Sequence, residues 1–111
     1  MRGDLEWGTI PGLLDSAAER FGPREAVVDG ETRITFEHLR VAVRHAARAA
    51  IAIGVEAGDR VAIWAPNIHE WIVAALGALT AGGVLVPINT RFKGREAGFV
   101  LQKSGAKLLF T

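Results

Sequence analysis

The sequence predicts an α/β fold, in which a parallel βαβαβ sheet segment follows a helix, a β-hairpin and a second helix. Apolar residues recur at helical spacing in two segments of the first half, and an Asp-Gly pair separates two short β-rich runs. In the second half, helical segments separate three short apolar runs without polar alternation, a pattern typical of strands covered on both faces. Because successive strand–helix–strand units build a parallel sheet through right-handed crossovers, we expect part of a larger layered α/β domain.

The first predicted helix begins after Thr9, a favourable N-cap residue, and carries Pro11 in its first turn. Gly22-Pro23 ends it, because glycine favours a helix end and proline cannot continue the helix. Its predicted apolar face consists of Ile10, Leu13, Leu14, Ala17, Ala18 and Phe21.

A hairpin and a second helix follow. Residues 26–28 and 32–34 flank residues 29–31 (Asp-Gly-Glu), and Asp-Gly between two β-rich runs is a strong hairpin signal. Thr35 is the next N-cap, and Gly54 ends the helix after it. The predicted apolar face of this helix consists of Phe36, Leu39, Val43, Ala46, Ala47, Ala50 and Ile51.

The second half alternates strands and helices. A Gly-Asp turn at 58–59 leads into the first strand, and Ala-Pro-Asn at 65–67 breaks that strand and opens the next helix. Gly82 ends this helix, and Ser-Gly at 104–105 ends the last one. The predicted elements are a strand at 60–64, a helix from 67 to 82, a strand at 84–86, a loop from 87 to 94, a helix at about 95–103 and a strand at 107–110.

This sheet would leave apolar surface uncovered. A parallel sheet of three short strands exposes apolar edges and faces, which favours aggregation. The chain reaches Thr111 inside its last apolar run, with no polar tail. We therefore expect further strands and helices beyond Thr111 and interpret residues 1–111 as an incomplete amino-terminal portion of a domain.

The composition argues against several classes of protein. Half of the 111 residues are hydrophobic and 23% are charged, so disorder is not expected. A net charge of +1 gives no electrostatic reason to expect nucleic acid or an anionic membrane as a partner. The absence of cysteine leaves no disulfide framework and no thiolate metal site, which suits a cytoplasmic protein.

The sequence predicts neither an amino-terminal signal peptide nor a membrane span. Residues 1–7 carry acids and have no apolar core, so they do not form a signal peptide. The uncharged stretch 71–89 is close to the length that spans a bilayer, but Gly82-Gly83 and Pro87 interrupt it. We interpret it as a buried helix followed by a buried strand, and expect no transmembrane segment.

For several candidate binding sites, a purely structural role is favoured over ligand or metal binding. Gly82-Gly83 ends a helix and precedes a strand, the reverse of a dinucleotide-binding turn. The three histidines lack the i, i+4 spacing of a helical metal site, and none has a cysteine beside it; they are His38, His45 and His69. Three arginines at i+4 spacing form either a solvated face or a contact within a parent protein; they are Arg40, Arg44 and Arg48.

Scattered acids and serines give no catalytic constellation. The acids lie at turns and helix starts, where they cap helices, and the serines lack a nucleophile motif; these residues are Glu56, Asp59, Glu70, Glu96, Ser16 and Ser104. We therefore assign no catalytic residue.

The polar residues that follow the first two parallel strands are the strongest ligand-binding candidates, because ligands gather at the carboxyl ends of parallel strands. Asn67 lies between Trp64 and Trp71, and Asn89 and Arg91 lie in the loop from 87 to 94. The alternatives are that Asn67 caps the following helix while the tryptophans pack, and that Asn89 and Arg91 only shape their loop. The sequence leaves both interpretations open.

Residues 54–67 (Gly-Val-Glu-Ala-Gly-Asp-Arg-Val-Ala-Ile-Trp-Ala-Pro-Asn) resemble a stretch near the start of AMP-forming acyl-CoA ligases. Residues 34–39 (Ile-Thr-Phe-Glu-His-Leu) look like the family's strand-to-helix entry, usually T-[YF]-x-E-L, although His38 stands where Glu is common. The resemblance continues through Glu70-Trp71, Leu76-Gly77-Ala78, Ala81-Gly82-Gly83-Val84 and Val86-Pro87-Ile88-Asn89-Thr90-Arg91-Phe92. These motifs are most similar to bacterial fatty-acyl-type ligases and to those that activate a bicyclic propanoate in steroid-ring degradation.

The resemblance implies that residues 1–111 are the incomplete amino-terminal portion of a large AMP-binding domain. In such enzymes a carboxylate attacks the α-phosphate of Mg·ATP, giving an acyl-adenylate and pyrophosphate, and the CoA thiol then displaces AMP to form a thioester. The family's phosphate loop, Mg²⁺-binding Glu, ribose-binding Asp and adenylating Lys lie downstream and match nothing here. We therefore expect ATP, Mg²⁺ and CoA to serve a full-length parent, no cofactor or metal site in this segment, and no activity from the segment alone.

Two alternatives stay open. The chain could be a non-catalytic interaction or oligomerisation module of the same fold, which would form a homo-oligomer to cover its exposed sheet. It could also belong to an adenylate-forming relative that does not use CoA.

Overall fold

The computed structural model describes residues 9–66 and 68–111. Predictions that fall on residues 1–8 and on Asn67 lie outside the described residues. The elements in chain order are α1 Ile10–Phe21, β1 Glu25–Asp29, β2 Thr32–Thr35, α2 Phe36–Ala52, β3 Arg60–Ile63, α3 His69–Thr80, β4 Val84–Pro87, α4 Gly94–Ser104 and β5 Leu108–Phe110. The predicted α/β class, the type of every element and their order are confirmed.

The threonine caps that mark the first two helices are present. The Thr9 hydroxyl oxygen accepts the backbone N–H of Gly12 at 3.0 Å, and the Thr35 hydroxyl oxygen accepts that of His38 at 3.1 Å. Each bond satisfies one of the N–H groups that the first turn of a helix leaves without a partner. The two helices therefore start where the sequence places them.

The hairpin of β1 and β2 turns at Gly30, whose φ of 59° is accessible to glycine at little cost. The strands pair antiparallel from Asp29 opposite Thr32 to Glu25 opposite Thr35. An ion pair between Arg33 and Glu25, at 2.9 Å, lies on the exposed face of the hairpin.

On the first two helices, only part of the predicted apolar face is buried against the rest of the protein. On α1 only Leu14 and Ala18 are buried. On α2 the buried stripe is Leu39, Val43, Ala47 and Ala50. Ile51, predicted on that face, is 56% exposed, because it lies in the last turn of α2 at the margin of the buried stripe, about 40° around the helix from Ala47. The prediction for Ile51 is therefore wrong.

Strands β3, β4 and β5 form a parallel sheet in the order β4-β3-β5, so the central strand comes first in the sequence. The N–H of Val84 donates to the carbonyl of Asp59, just before β3, at 2.7 Å, and the N–H of Ile88 donates to the carbonyl of Ile63 at 2.8 Å. On the other side, the N–H of Trp64 donates to the carbonyl of Phe110 at 2.8 Å. Odd-numbered residues of β3 therefore bond to β4 and even-numbered residues bond to β5.

Helices pack on opposite faces of this sheet. One face, which contains Val61, Leu108 and Phe110, packs with α2 and α3. The other face, which contains Ala62 and Leu109, packs with α4. Val61 and Ala62 are both fully buried, which confirms that the central strand is covered on both sides.

Glycines allow the close approach of α3 to its neighbours. A Cβ placed on Gly77 would lie 2.7 Å from the Cβ of Ala46 on α2. After α3, Gly82 adopts a φ of 90°, and a Cβ on Gly83 would lie 3.0 Å from the carbonyl oxygen of Ala78. The interpretation of Gly82-Gly83 as a helix end with close packing is therefore confirmed.

The uncharged stretch from Trp71 to Asn89 divides into most of α3, all of β4 and the residues that follow it. The interpretation as a buried strand is wrong for β4, because it is an edge strand whose Val84 is 48% exposed and none of whose residues is fully buried. Within the described ranges, no helix has both the length and the apolar character needed to cross a membrane.

Candidate functional site

The carboxyl edge of the parallel sheet contains the point where the chain changes face. The chain leaves β3 towards α3 on one face and leaves β4 towards α4 on the other. Two adjacent strands whose connections diverge in this way open a crevice between them, where open α/β sheets bind ligands.

A crevice of about 330 Å³ lies at this point. Its walls come from the ends of β3 and β4 and from the side of α3; they are Ala65, Trp71, Pro87, Ile88, Asn89 and Thr90. The crevice therefore combines an indole with an amide and a hydroxyl group, which is a mixture of apolar wall and a few polar groups typical of small-molecule sites.

A second depression, of about 320 Å³, lies on the other side of Trp71 beside β5. Ala65 and Trp71 line both depressions. The remaining walls of the second depression are mainly apolar; they are Ile63, Pro66, Ile68, Glu70, Ala74, Phe110 and Thr111. The indole of Trp71 thus separates a mixed crevice from an apolar one.

The two tryptophans have different environments. Trp64 packs against the core cluster around Ala62 on the α4 face. Trp71 is half-buried at the two depressions. The packing interpretation therefore holds for Trp64, whereas Trp71 is available to a molecule that enters either depression.

Asn89 has a role in its own loop. Its amide oxygen accepts the backbone N–H of Arg91 at 2.9 Å, which forms an Asx turn. The Asn89 side chain also lines the mixed crevice, whereas Arg91 is exposed and lines neither depression. The structure thus supports loop shaping by Asn89 and brings Asn89, but not Arg91, to the crevice.

The beginning of α3 differs from the sequence prediction. The helix starts at His69, and its N-cap residue is Ile68, whose side chain makes no capping hydrogen bond. The predicted cap, Asn67, lies outside the described residues. The helix end is instead satisfied from the hairpin, because the Asp29 carboxylate accepts the backbone N–H of His69 at 2.9 Å.

Asp29 and His69 form a polar link between the hairpin and α3. The carboxylate that caps the helix also lies 2.9 Å from Nδ1 of His69, while Nε2 of His69 contacts the Glu70 carboxylate. The hydrogen bond with the His69 side chain, followed by the one from its backbone N–H, holds the pKa of Asp29 below its ordinary value. Sequence analysis missed this link, because the two residues are 40 positions apart.

The arginine stripe on α2 is not uniformly solvated. Arg44 pairs with Asp15 of α1 at 3.3 Å, with both side chains about half exposed. Arg40 is half-buried beside a small cavity of about 30 Å³ between α1, α2 and α3. Part of the stripe therefore belongs to a helix–helix contact.

The described residues contain no visible catalytic or metal-binding constellation. In the ranges 9–66 and 68–111, no group of three or more His, Asp or Glu side chains is arranged to hold a metal ion. The site that remains is the carboxyl edge of the sheet, with its two depressions on either side of Trp71.

The chain matches a known protein family. The AMP-binding enzyme family matches residues 14–111. A curated relative from Rhodococcus jostii (strain RHA1), 3-[(3aS,4S,7aS)-7a-methyl-1,5-dioxo-octahydro-1H-inden-4-yl]propanoyl:CoA ligase, is 47% identical over 86% of this chain and 19% of its own length. The chain thus spans about a fifth of the length of the curated relatives it matches.

Solved structures of related enzymes match the fold of this chain. The inhibitor-bound N-terminal domain of FACL13 from Mycobacterium tuberculosis matches with a TM-score of 0.87 at 33% identity, over 91% of this chain and 26% of that one. NpsA-ThdA, an artificially fused adenylation-PCP di-domain from Klebsiella oxytoca, matches with a TM-score of 0.87 at 29% identity, over 91% of this chain and 19% of that one.

Proposed function

This chain belongs to the AMP-binding enzyme family, and from that premise we propose that it is the amino-terminal portion of an ATP-dependent, AMP-forming acid:CoA ligase. The observation that carries the proposal is the 47% identity to a CoA ligase over 96 residues. The crevice at the carboxyl edge of the sheet supports the proposal, because open α/β sheets bind ligands there.

The proposed reaction of the full-length parent has two steps. A carboxylate oxygen attacks the α-phosphorus of ATP, the bond to the β-phosphate oxygen breaks, and an acyl-adenylate and pyrophosphate form. The CoA sulfur then attacks the acyl carbon, AMP leaves, and a thioester results. Such an enzyme chiefly positions its substrates and stabilises developing charge.

We infer that the binding of the phosphates and of Mg²⁺ falls to other parts of the parent, and the described residues 9–66 and 68–111 support this inference. The only adjacent glycine pair, Gly82-Gly83, ends a helix instead of opening one. No described cluster of carboxylates and histidines fits a metal ion. We therefore derive no step of the reaction from these residues and assign them the role of scaffold for the active domain.

The acid substrate that we propose is a bulky, largely apolar carboxylic acid, such as the bicyclic propanoate named for the Rhodococcus relative. The cytoplasmic location expected from the composition stays a prediction.

A second candidate is an adenylation enzyme that transfers its acyl group to a carrier protein instead of CoA. The structural similarity to the adenylation-PCP protein from Klebsiella favours it. The two candidates differ in the acceptor of the acyl group, so product analysis separates them.

Two measurements test the proposal. The full-length parent should exchange pyrophosphate into ATP when given the acid, and mass spectrometry should find an acyl-CoA after CoA is added. Exchange without a CoA thioester would favour the carrier-protein candidate, and no exchange with any bulky acid would refute the ligase assignment. The segment 1–111 alone should give neither exchange nor thioester, and activity from the segment would contradict its role as scaffold.

A further inference from the structure

The charged residues are distributed unevenly along the chain. Residues 91–111 contain five of the thirteen lysines and arginines but one of the twelve acids. They therefore carry a net charge of +4, whereas residues 1–90 carry −3. Such an asymmetry indicates a local surface for an anionic partner, which the overall charge of +1 conceals.

Helix α4 presents its core residues and its cations on opposite faces. The inner face packs against the sheet around the buried Ala97. At about 100° per residue, Phe99 lies about 160° around the helix from Ala97, and Arg95 and Lys103 lie one turn before and one turn after it. The outer face of α4 therefore has an aromatic ring at its centre and a cation on each side.

The ring of Phe99 has no place in the core of the described residues. It belongs to none of the three buried clusters and is 64% exposed. The ammonium group of Lys103 lies 6.0 Å from the centre of the ring, where the ring's quadrupole attracts a cation. Most of the apolar area of Phe99 is therefore available to a partner.

The loop that leads into α4 adds to this basic and aromatic surface. Arg91, Phe92 and Lys93 are exposed residues directly before the helix. Glu96 is the one acid in residues 91–111, and its carboxylate is engaged at the helix start, where it accepts the backbone N–H of Lys93 at 2.6 Å. The loop and the outer face of α4 together present four cations and two aromatic rings.

This surface is convex. Five depressions lie elsewhere in the described part of the chain, and none of them has a wall from residues 91–103. Small molecules such as nucleotides bind in concave sites, so a free nucleotide fits this surface poorly. A lipid bilayer is an extended surface that a helix lying on it can contact. Its interface takes up apolar side chains, and its anionic headgroups attract lysine and arginine.

We propose that the outer face of α4 and the loop before it form an interaction surface for an anionic lipid bilayer. The rings of Phe92 and Phe99 enter the headgroup region, and the four cations lie beside the lipid phosphates. Because a few charges and two rings provide the contact, binding is reversible and sensitive to salt. The inference goes beyond the proposed function and does not depend on it, since binding needs this surface and no chemical step.

The test is flotation of the full-length parent with vesicles of phosphatidylcholine, either alone or with about one-third phosphatidylglycerol. In dilute buffer we expect the partition coefficient to be about 100-fold higher for the anionic vesicles, because each lysine or arginine near such a surface contributes about fivefold. Raising the salt concentration should remove most of this difference, because it screens the charges.

Paired variants separate this surface from a general effect of charge. Arg95→Gln with Lys103→Gln should lower the partition coefficient on anionic vesicles by about 25-fold. The matched control, Arg20→Gln with Arg48→Gln, removes the same charge from exposed positions on α1 and α2 and should lower it by less than about threefold.

A second pair of variants tests the aromatic ring. Phe99→Gln should lower the partition coefficient by about tenfold, because the ring no longer enters the interface. Ile53→Gln is the matched control, since Ile53 is 65% exposed and lies outside this surface, and it should leave the partition coefficient unchanged.

Three outcomes overturn the proposal. The first is equal binding to neutral and anionic vesicles, and the second is an equal loss in the two double variants. The third is retention of the parent on soluble poly-glutamate without vesicle binding, which would identify an acidic protein as the partner.

If a variant of the parent does not fold, the same comparison uses the 111-residue chain, because bound protein rises with the vesicles while aggregates sediment. Thioester formation is assayed separately. Flotation without thioester refutes the ligase assignment alone, and thioester without flotation refutes the lipid surface alone.

Discussion

The contact between α2 and α3 gives a quantitative test of how this chain packs. Gly77 of α3 faces Ala46 of α2, and a Cβ at Gly77 would lie 2.7 Å from the Cβ of Ala46. Carbon atoms prefer a separation of about 3.5–4.0 Å, so Gly77→Ala brings two methyl groups about 1 Å too close. The nearby backbone of Ala46 and Ala47, at 3.4 Å, leaves no direction in which the new methyl group can turn aside.

Two effects compete in this variant. Alanine stabilises a helix interior by about 1 kcal/mol relative to glycine. Overpacking a well-filled contact costs about 1–3 kcal/mol. We therefore expect Gly77→Ala to lower the free energy of unfolding by about 0–2 kcal/mol. The matched control is Gly98→Ala on α4, where no atom lies within 4 Å of the new methyl group, and this variant should gain about 1 kcal/mol.

Urea unfolding of the purified variants measures the difference. With a denaturant slope of about 2 kcal/mol/M, the two midpoints should differ by about 0.5–1.5 M. Adding Ala46→Gly to Gly77→Ala removes the facing methyl group and should recover part of the loss, which a double-mutant cycle detects. If Gly77→Ala were as stabilising as Gly98→Ala, α2 and α3 would not be in close contact at Gly77 and Ala46.

Three further predictions concern the polar links and the core. Asp29→Asn should reduce stability at neutral pH and flatten its pH dependence. Because the pKa of Asp29 is lowered in the folded chain, its hydrogen bonds contribute stability above the ordinary carboxyl pKa, and this contribution is lost as the pH falls below it. A variant that is less stable only in acid would contradict the link. Val61→Ala, at a fully buried position of β3, should lower the free energy of unfolding in urea by about 2 kcal/mol. The control Val41→Ala, at a residue that is 46% exposed, should change it by less than about 0.5 kcal/mol, and equal losses would show that Val61 does not belong to the core. Lys107→Met should lower the urea midpoint more in dilute buffer than in high salt, because the ammonium group pairs with Asp59 at 3.1 Å on the surface. Part of the loss should persist in salt, because the same group donates to the carbonyl of Gly54 at 2.8 Å, and a loss wholly independent of salt would be evidence against the ion pair.

The order of elements could be predicted because each one has a local signal. Thr9 and Thr35 cap helices, and Gly30, Gly82 and Gly105 adopt the positive φ values that turns and helix ends require. Apolar spacing then separates helices from strands. Such signals act over a few residues, and they are visible in a single sequence.

The features that the sequence did not predict depend on long-range contacts. The strand order β4-β3-β5 is set by which faces α3 and α4 cover. The helix cap that Asp29 provides crosses 40 positions, and nothing near His69 indicates it. Exposure of Ile51 depends on how far the other helices extend over α2.

The candidate site was predicted only in part. Because ligands bind at the carboxyl ends of parallel strands, the sequence pointed to the loops after β3 and β4, and the crevice is found there. The separation of that crevice from its apolar neighbour by Trp71 is visible only in three dimensions. Arg91, a candidate from the same loop, lines neither of them.

The central position of β3 affects how the chain emerges during synthesis. Strand β3 ends at Ile63, whereas its second neighbour begins 45 residues later, at Leu108. At about 5–20 residues per second, this interval lasts about 2–9 s. Throughout that time one side of an apolar strand has no partner, while β4 can already occupy the other. The nascent protein therefore offers a temporary template for pairing with another chain, and its yield in cells should depend on how fast ribosomes translate the codons between these two strands.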